Sequence, residues 1–301
     1  MREIGLVEIR ENLPQEDQEF LQYWFPSQSQ EELFALAAAI EEEPNRVERE
    51  LAWVVFSSLI IAKSTGASSA LDLARTRPHK RRDKPIVLPF DAWDRRFKSV
   101  TARLPFLDSR LDLESTVQIE DARSLPLEDC TVDLVLTSPP YLNAVDYLRA
   151  HKFSLVWMGY RLEELRELRG TMVGTERGLW SLDSLPPSLE RRLEQVVGES
   201  RRRAQVRRYL SDLRKVLMEI HRVLLPGGLA YFVVGPAIIH PKRSDAVEVI
   251  EQVSGSVGLR LVGSVARSLN PARRSLPPPS VAKQTPLAKR MRREFILALS
   301  K

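Results

Sequence analysis

Apolar residues recur every three or four positions in the first third of the chain, which places them on one face of a helix. The spacing is clearest in three stretches, at 29–43, at 45–63 and at about 91–104. The first stretch opens with Ser29-Gln30-Glu31-Glu32, which has the spacing of a capping box. We therefore predict an all-helical region over residues 1–110.

The second half of the chain has short apolar runs separated by turn residues, a pattern that predicts strands. An amphipathic helix at 209–225 ends at Pro226-Gly227-Gly228, because glycine and proline stop helices. Strands and helices together indicate an α/β core over residues 111–301. The other predicted elements of this core are strands at 116–121, 133–137, 229–235, 259–265 and 294–299, and a helix at 246–257.

Candidate chemistry lies where the strand at 133–137 runs into Ser138-Pro139-Pro140-Tyr141. Two consecutive prolines fix their own φ and bias the preceding residue toward an extended backbone, so the carbonyls of this turn point in fixed directions. Tyr141 adds a flat aromatic face beside these acceptors. Such a site suits a planar base whose amino group is held for reaction. The alternative is a Pro-Pro turn that only ends a buried strand.

The Ser-Pro-Pro-Tyr turn resembles the signature of the amino-methylating DNA methyltransferases, the cytosine-N4 and adenine-N6 family. The resemblance implies that Ser138 and the Pro139 carbonyl accept hydrogen bonds from the exocyclic amine, that Pro140 completes the rigid turn, and that Tyr141 stacks on the flipped base. A serine at the first position favours cytosine-N4. The implied fold is an incomplete Rossmann-like sheet that binds S-adenosylmethionine.

The flanks extend this resemblance over about residues 116–301. Asp121 and Ala122 follow the predicted strand at 116–121, and the resemblance assigns them to the adenine pocket of S-adenosylmethionine. The alternative for Asp121 is an ordinary loop or capping residue. The strands at 259–265 and 294–299 are expected to form the antiparallel pair that ends a methyltransferase sheet.

One element of the family is not recognisable in this sequence. A Gly-rich turn normally follows the central strand and lets the backbone approach the cofactor, but Gly5 and Gly66 stand alone ahead of Asp121. Three explanations remain open: a split enzyme whose Gly-rich strand comes from a second polypeptide, a truncated gene product, or a chain that has lost cofactor binding. A missing upstream piece predicts exposed apolar strand edges near Asp121 and Leu136.

Two further segments have open roles. Residues 143–159 resemble the Asn-Ala-x-Asp-Tyr continuation of the family and are expected to form a pocket wall. Residues 160–208 interrupt the core between strands. This insertion is either a lid or target-recognition segment, or a surface insertion that contacts no base.

Positive charge is clustered, although the net charge is only +5 and the pI is near 9.4. Clusters of this kind neutralise phosphates and make DNA binding depend on salt. The alternative is solubilising charge on a helix face, because Glu190, Glu194 and Glu199 lie near the first cluster. The residues expected to contact DNA are Arg201, Arg202, Arg203, Arg207, Arg273 and Arg274.

Composition excludes several other classes of protein. One cysteine, Cys130, excludes an internal disulfide and a multi-cysteine zinc cluster, and the four histidines form no His-Glu-x-x-His pattern. The first residues lack the form of a secretion signal, and the apolar run at 53–62 is too short to span a bilayer. We expect a soluble cytoplasmic protein.

Three functional hypotheses follow from these patterns. The leading one is methyl transfer from S-adenosylmethionine to the exocyclic amine of a DNA base. The second is a noncatalytic DNA-binding or assembly subunit of a methyltransferase. The third is methylation of an RNA amine, because this turn also occurs in RNA methyltransferases.

Overall fold

The computed structural model describes residues 13–60, 66–71, 79–81, 83–102, 115–140, 147–175, 185–196, 200–235, 246–269 and 293–301. Helices and strands alternate in the mixed α/β manner that the sequence predicts. Contacts divide the chain into two compact units, 1–116 with 145–170 and 117–144 with 171–301. The first division lies near the predicted boundary at residue 110. Residues 145–170, however, join the helical unit and interrupt the predicted continuous core.

The first unit is built from six helices in its described part. They include the three helices that the apolar spacing predicts, each with slightly different ends. One two-residue antiparallel ladder, β1 with β2, interrupts the region that was expected to be all-helical. The elements are α1 (Gln15–Trp24), α2 (Ser27–Glu41), α3 (Arg46–Ile60), β1 (Ala70–Leu71), β2 (His79–Lys80), α4 (Pro89–Thr101), α5 (Tyr147–Leu155) and α6 (Leu162–Thr171).

The predicted capping box is wrong. Helix α2 begins at Ser27, after Pro26, so Ser29 already lies inside the first turn. Its hydroxyl is buried and has no hydrogen-bond partner within the described residues. A side-chain cap is instead found on α3, where the Asn45 side-chain oxygen accepts from the backbone N–H of Val47 at 3.0 Å and of Glu48 at 3.3 Å. Asparagine there satisfies two of the amide groups that every helix start leaves unpaired.

Aromatic rings form much of the core of the first unit. The ring of Phe153 on α5 lies 5.1 Å from that of Phe20 and 5.2 Å from that of Trp24. Trp157, just after α5, lies 5.2 Å from Phe25. Edge-on and tilted contacts of this kind add to the stabilisation from burial. They explain why residues after the Ser-Pro-Pro-Tyr turn pack with the N-terminal helices.

The second unit contains a four-stranded sheet in the order β3-β4-β6-β5. Strands β3 and β4 are parallel, and β6 is antiparallel to both β4 and β5. The predicted antiparallel pair at the end of the sheet is therefore confirmed. The elements are β3 (Val132–Thr137), α7 (Pro187–Val196), α8 (Ser200–Val223), β4 (Leu224–Val234), α9 (Ala246–Gly255), β5 (Arg260–Ser268) and β6 (Arg293–Ser300).

Helix α8 supplies most of the helical side of this unit's core. Its apolar residues recur at helical spacing and are buried against alternate residues of β4 and β6. Residues of α7 and α9 complete the same cluster. The buried members include Leu189 and Leu193 of α7, Leu210, Leu213, Leu217 and Ile220 of α8, Leu224, Ala230, Phe232 and Val234 of β4, Val249, Ile250 and Val253 of α9, and Leu297 and Leu299 of β6.

The Pro226-Gly227-Gly228 segment lies inside β4, not before it as predicted. Val132 pairs with Leu224 but Leu134 pairs with Leu229, so β4 carries extra residues that bulge out of the ladder. Gly227 has φ +80°, and a Cβ on Gly228 would lie 3.1 Å from the Asp133 carbonyl oxygen. Glycine is therefore required for this bulge and for the close approach of β3.

The predicted strand at 116–121 is not formed. Residues 115–121 have no ladder partner in the described part of the chain, and the side chains of Val117 and Ile119 are 93% and 100% exposed. The sequence alternates as a strand does, but a strand needs a neighbour for its backbone hydrogen bonds. In the described part of the sheet β3 is an edge strand, with Leu134 48% and Leu136 72% exposed. The exposed apolar strand edge expected near Leu136 is thus found in the described sheet, whereas no strand forms near Asp121.

Membrane-spanning helices and metal-binding clusters are both absent from the described residues. No helix there combines the length and apolar character needed to cross a membrane. No three side chains of the metal-binding types come together in that part of the chain.

We predict that Leu217→Ala will lower the free energy of unfolding by about 2–5 kcal/mol, because it leaves a cavity in the core of the second unit. Leu217 is fully buried, whereas Met218, one residue further along α8, is 46% exposed. Met218→Ala is the matched control and is expected to change stability by about 0.5 kcal/mol or less. Urea denaturation measures both. Equal losses would contradict the assignment of the buried face of α8.

Candidate active site

The Ser-Pro-Pro turn lies at the carboxyl end of the parallel pair β3 and β4. Thr137 pairs with Phe232, so the next residue of each strand, Ser138 and Val233, lie side by side. In open α/β sheets ligands bind outside the carboxyl ends of parallel strands. Ser138 is exposed, whereas Pro139 is buried and Pro140 is half-buried. The structure thus presents the serine at the sheet edge and holds the following proline in place.

The hydroxyl of Ser138 donates a hydrogen bond to the Val233 carbonyl oxygen, at 3.2 Å. A hydroxyl has one proton to donate and two lone pairs. With the proton directed at β4, the lone pairs of Ser138 face away from that carbonyl. Ser138 is therefore prepared to accept hydrogen bonds from a ligand.

Three of the predicted site residues lie outside the described residues, namely Tyr141, Arg273 and Arg274. The side chains of Arg201 and Arg202 lie outside them as well, although their backbone belongs to α8.

Asp121 and Ala122 form a tight turn and are both exposed. The Asp121 carbonyl oxygen accepts from the Ser124 N–H at 2.9 Å, and its carboxylate accepts from the Arg123 N–H at 2.9 Å. The second contact is typical of a turn that begins with aspartate. The turn is thus held by local hydrogen bonds, although the predicted strand before it is absent.

Arg123, which carries no family motif, holds the Asp121 turn. Its guanidinium binds the Asp121 carboxylate through Nε at 3.0 Å and Nη2 at 2.7 Å. Nη1 donates to the Asp212 carboxylate at 3.1 Å, and Nη2 also donates to the Thr171 carbonyl at 2.7 Å. The hydrogen bond from Arg123 holds the pKa of Asp121 below its ordinary value. In the sequence, the only local indication of this contact is the arginine two residues after Asp121.

Asp212 extends this arrangement to a glycine. Its second oxygen accepts from the Gly174 N–H at 3.0 Å. Gly174 has φ +71°, and a Cβ there would lie 2.9 Å from the ring of Tyr209. We call Asp121, Arg123, Asp212 and the backbone groups of Thr171 and Gly174 the Arg123 network.

A second arginine holds the loop between this turn and β3. Arg222, on α8, donates to the carbonyls of Leu127 at 2.7 Å and Leu125 at 3.0 Å, and to the Asp129 carboxylate at 2.7 Å. Glu219 accepts from the Leu125 N–H at 2.8 Å and pairs with Arg222. The hydrogen bond from Arg222 lowers the pKa of Glu219. Helix α8 thus fixes the whole segment from 121 to 131.

The described part of the basic cluster is partly neutralised. Arg207 pairs with Glu190 of α7, with Nε and Oε1 2.7 Å apart, and each side chain is about one third exposed. Burial lowers the pKa of the neighbouring Arg208. Arg203 is half-buried on the same helix. The ion pair with Glu190 matches the alternative interpretation of this cluster as ordinary surface charge.

We predict that Gly174→Ala will destabilise the protein by more than about 1 kcal/mol, because a left-handed backbone disfavours a Cβ. Contact with the Tyr209 ring adds to this cost. Gly170→Ala is the control: it lies in α6 with no atom within 4 Å of an added Cβ, and alanine in a helix is favoured by about 0.5–1 kcal/mol over glycine. Thermal unfolding of both variants tests this. A similar effect of the two substitutions would contradict the described turn.

Comparison with known proteins gives a short sequence match. No protein-family model matches the chain. The Type II methyltransferase M.BsoBI of Geobacillus stearothermophilus is 44% identical over 43 residues, which span 14% of this chain and only 8% of that protein. This match confirms the resemblance to DNA methyltransferases, and the cytosine-N4 subtype stays a prediction.

Two solved structures of a protein assigned as a DNA modification methylase of Thermus thermophilus were also matched, at 18% identity. One superposes with a TM-score of 0.31 over 61% of this chain and 52% of that chain. The other contains S-adenosyl-L-methionine and gives 0.29 over 61% and 54%. TM-scores of this size do not establish a shared fold.

Proposed function

We propose that this chain transfers a methyl group from S-adenosylmethionine to the exocyclic amine of a DNA base, with the N4 amine of cytosine as the expected target. The observation that carries the proposal is the hydrogen bond from Ser138 to the Val233 carbonyl, at the carboxyl end of β3. The sequence match to a Type II DNA methyltransferase supports the same class of reaction.

An exocyclic amine has two N–H donors, and its binding site must offer acceptors. A serine hydroxyl that already donates to Val233 meets this requirement, because only its lone pairs remain for the ligand. The same hydroxyl disfavours a base that presents a carbonyl oxygen at this position, since two acceptors would face each other. Ser138 therefore selects an amine in this proposal.

The Pro139 carbonyl is the second proposed acceptor. Proline fixes its own φ, and Pro140 restricts Pro139 to an extended backbone. Pro139 is buried, which holds the carbonyl in one direction without help from the ligand. Two fixed acceptors orient the amine and stabilise the positive charge that develops as its nitrogen forms the new bond to carbon.

S-adenosylmethionine, when bound, supplies a methyl group on a positively charged sulfur. The nitrogen of the amine forms a bond to the methyl carbon as the sulfur–carbon bond breaks, and the nitrogen then loses one proton to solvent. Tyr141 is proposed to stack on the base after it leaves the DNA helix. The chain's contribution is to position the amine, exclude competing bases and hold the base ring.

The proposed cofactor contacts are Asp121 and Ala122. The Asp121 carboxylate is half exposed, and lone pairs not used by Arg123 remain to accept from the adenine amine. The Ala122 N–H is proposed to meet a ring nitrogen. These residues form one wall of the pocket, and we propose that a Gly-rich strand from a second polypeptide forms the other. In the described part of the sheet β3 pairs on one side only, which leaves its other edge open to a further strand and supports this proposal.

The proposed DNA contacts are the basic residues at the start of α8 and those near residue 273. A base-modifying enzyme must hold the phosphates while the base is extruded. Arg207 already pairs with Glu190, so in this proposal a phosphate shares the guanidinium with that carboxylate. The proposed residues are Arg201, Arg202, Arg203, Arg207, Arg273 and Arg274.

Calorimetric titration of S-adenosylmethionine tests cofactor binding directly. We expect no binding to the isolated chain, and binding when the product of any upstream reading frame with a Gly-rich strand is added. Binding by the isolated chain would contradict the incomplete pocket. Absence of binding in both preparations would contradict the proposed methyl transfer and favour a noncatalytic subunit.

We predict that Ser138→Ala will reduce kcat by about 10- to 100-fold in the preparation that binds the cofactor, because it removes one hydrogen bond to the reacting amine. Cofactor affinity should stay unchanged. Ser264→Ala is the control, since Ser264 is exposed on β5, and its activity should equal that of the unmodified protein. Transfer of labelled methyl groups to cytosine-containing DNA measures kcat. An unchanged kcat for Ser138→Ala would contradict the proposed role of this hydroxyl.

A further inference from the structure

Asp121 does not stand alone at the start of the turn. Every hydrogen bond that its carboxylate accepts within the described residues comes from Arg123: the backbone N–H at 2.9 Å, Nε at 3.0 and 3.2 Å, and Nη2 at 2.7 Å. The side chain of Arg123 is only 18% exposed, whereas that of Asp121 is 48% exposed. One residue thus determines how the exposed carboxylate is oriented.

Arg123 is itself held from the opposite side. Nη1 donates to Asp212, whose side chain is 12% exposed, and Nη2 donates to the Thr171 carbonyl. Asp212 is kept in place by the Gly174 N–H. The planar guanidinium can serve two carboxylates and a carbonyl at once because its donors point in fixed directions. The orientation of Asp121 is therefore anchored on α8 and not on the short turn alone.

The charges around Asp121 neutralise its carboxylate only in part. Arg123 lies between two aspartates, so its positive charge is shared between them. Among the described residues, the charge of Lys215 on α8 also lowers the pKa of Asp121. Arg208, on the same helix, interacts with the charges of Asp212 and Arg123. Asp121 keeps an exposed side from which a further donor can approach. The buried Asp212 has no such access, which identifies it as the anchor of the pair.

We propose that Arg123 is a positioning residue that orients the Asp121 carboxylate toward the adenine amine of S-adenosylmethionine, with Asp212 as its anchor. This inference rests on the proposed function. It adds a role for two residues that the Ser-Pro-Pro-Tyr signature does not contain. It also explains why the residue two positions after Asp121 is an arginine. A lysine would provide the positive charge but not the planar set of donors that binds several acceptors at once.

A ligand pair tests this role separately from a general loss of structure. The probes are S-adenosylmethionine and its analogue in which hydrogen replaces the adenine 6-amino group, titrated in the preparation that binds the cofactor. The unmodified protein should prefer the amino form by about tenfold or more, as a hydrogen bond to a charged group provides. Arg123→Gln should reduce this preference to about threefold or less.

The variants form a graded series. Arg123→Lys should keep an intermediate preference, and Asp121→Asn should lose the preference as Arg123→Gln does. Arg267→Gln is the matched control, because Arg267 of β5 pairs with Glu294 of β6 and takes no part in the Arg123 network. If Arg123→Gln weakens the binding of both ligands equally and keeps the preference for the amino form, the positioning role is overturned, because a general structural defect would have that effect.

A second measurement does not require the cofactor to bind. Carbon-13 NMR of the Asp121 carboxyl, identified with Asp121→Asn, should show titration at a higher pH in Arg123→Gln than in the unmodified protein. An unchanged titration would overturn the inference. If the titration moves but neither ligand binds in any preparation, the proposed cofactor contact fails together with the positioning role, while the Asp121–Arg123 ion pair stands.

Discussion

The second unit depends on the two faces of helix α8. One face carries the leucines and the isoleucine that are buried against β4 and β6, so burial fixes the helix on the sheet. The other face carries Asp212, Glu219 and Arg222, which hold the turn at Asp121 and the loop that leads to β3. Because the same helix is bound to the sheet and to this loop, the segment between Asp121 and Ser138 cannot move without disturbing the core.

This arrangement replaces the strand that the sequence predicts at 116–121. Had that strand formed, ladder hydrogen bonds would hold the segment, and the strand would position the carboxylate at its end. Here that segment is exposed and has no ladder partner among the described residues, and side-chain contacts to α8 position Asp121 instead. A single ion pair or carbonyl contact at a surface is weak. The partly buried guanidinium of Arg123, however, binds several groups at once and therefore keeps one orientation.

Much of the core was predictable because its signals are local. Apolar spacing predicted α2, α3, α4, α8 and α9, and short apolar runs predicted β3, β4, β5 and β6 with their antiparallel end. Helix α1 was missed because its sequence is mostly polar, and its burial depends on Phe153, far along the chain. The prediction of a strand at 116–121 failed although its local pattern is that of a strand, because no described neighbour pairs with this segment. The roles of Arg123 and Arg222 were missed because the contacts that tie them to distant segments join residues 89 and 97 positions apart in sequence.

The position of β6 has a consequence for how the protein is made. This strand follows β5 in sequence but lies between β4 and β5 in the sheet. During synthesis from the N-terminus, β4 and β5 therefore cannot join until residues 293–300 have emerged. At about 5–20 residues per second, the stretch from Val234 to Arg293 takes about 3–12 s to translate, and throughout that time the backbone groups of β4 that later pair with β6 have no partner in the described sheet. The nascent chain is then most open to pairing with the wrong strand, which makes chaperone protection most valuable late in translation.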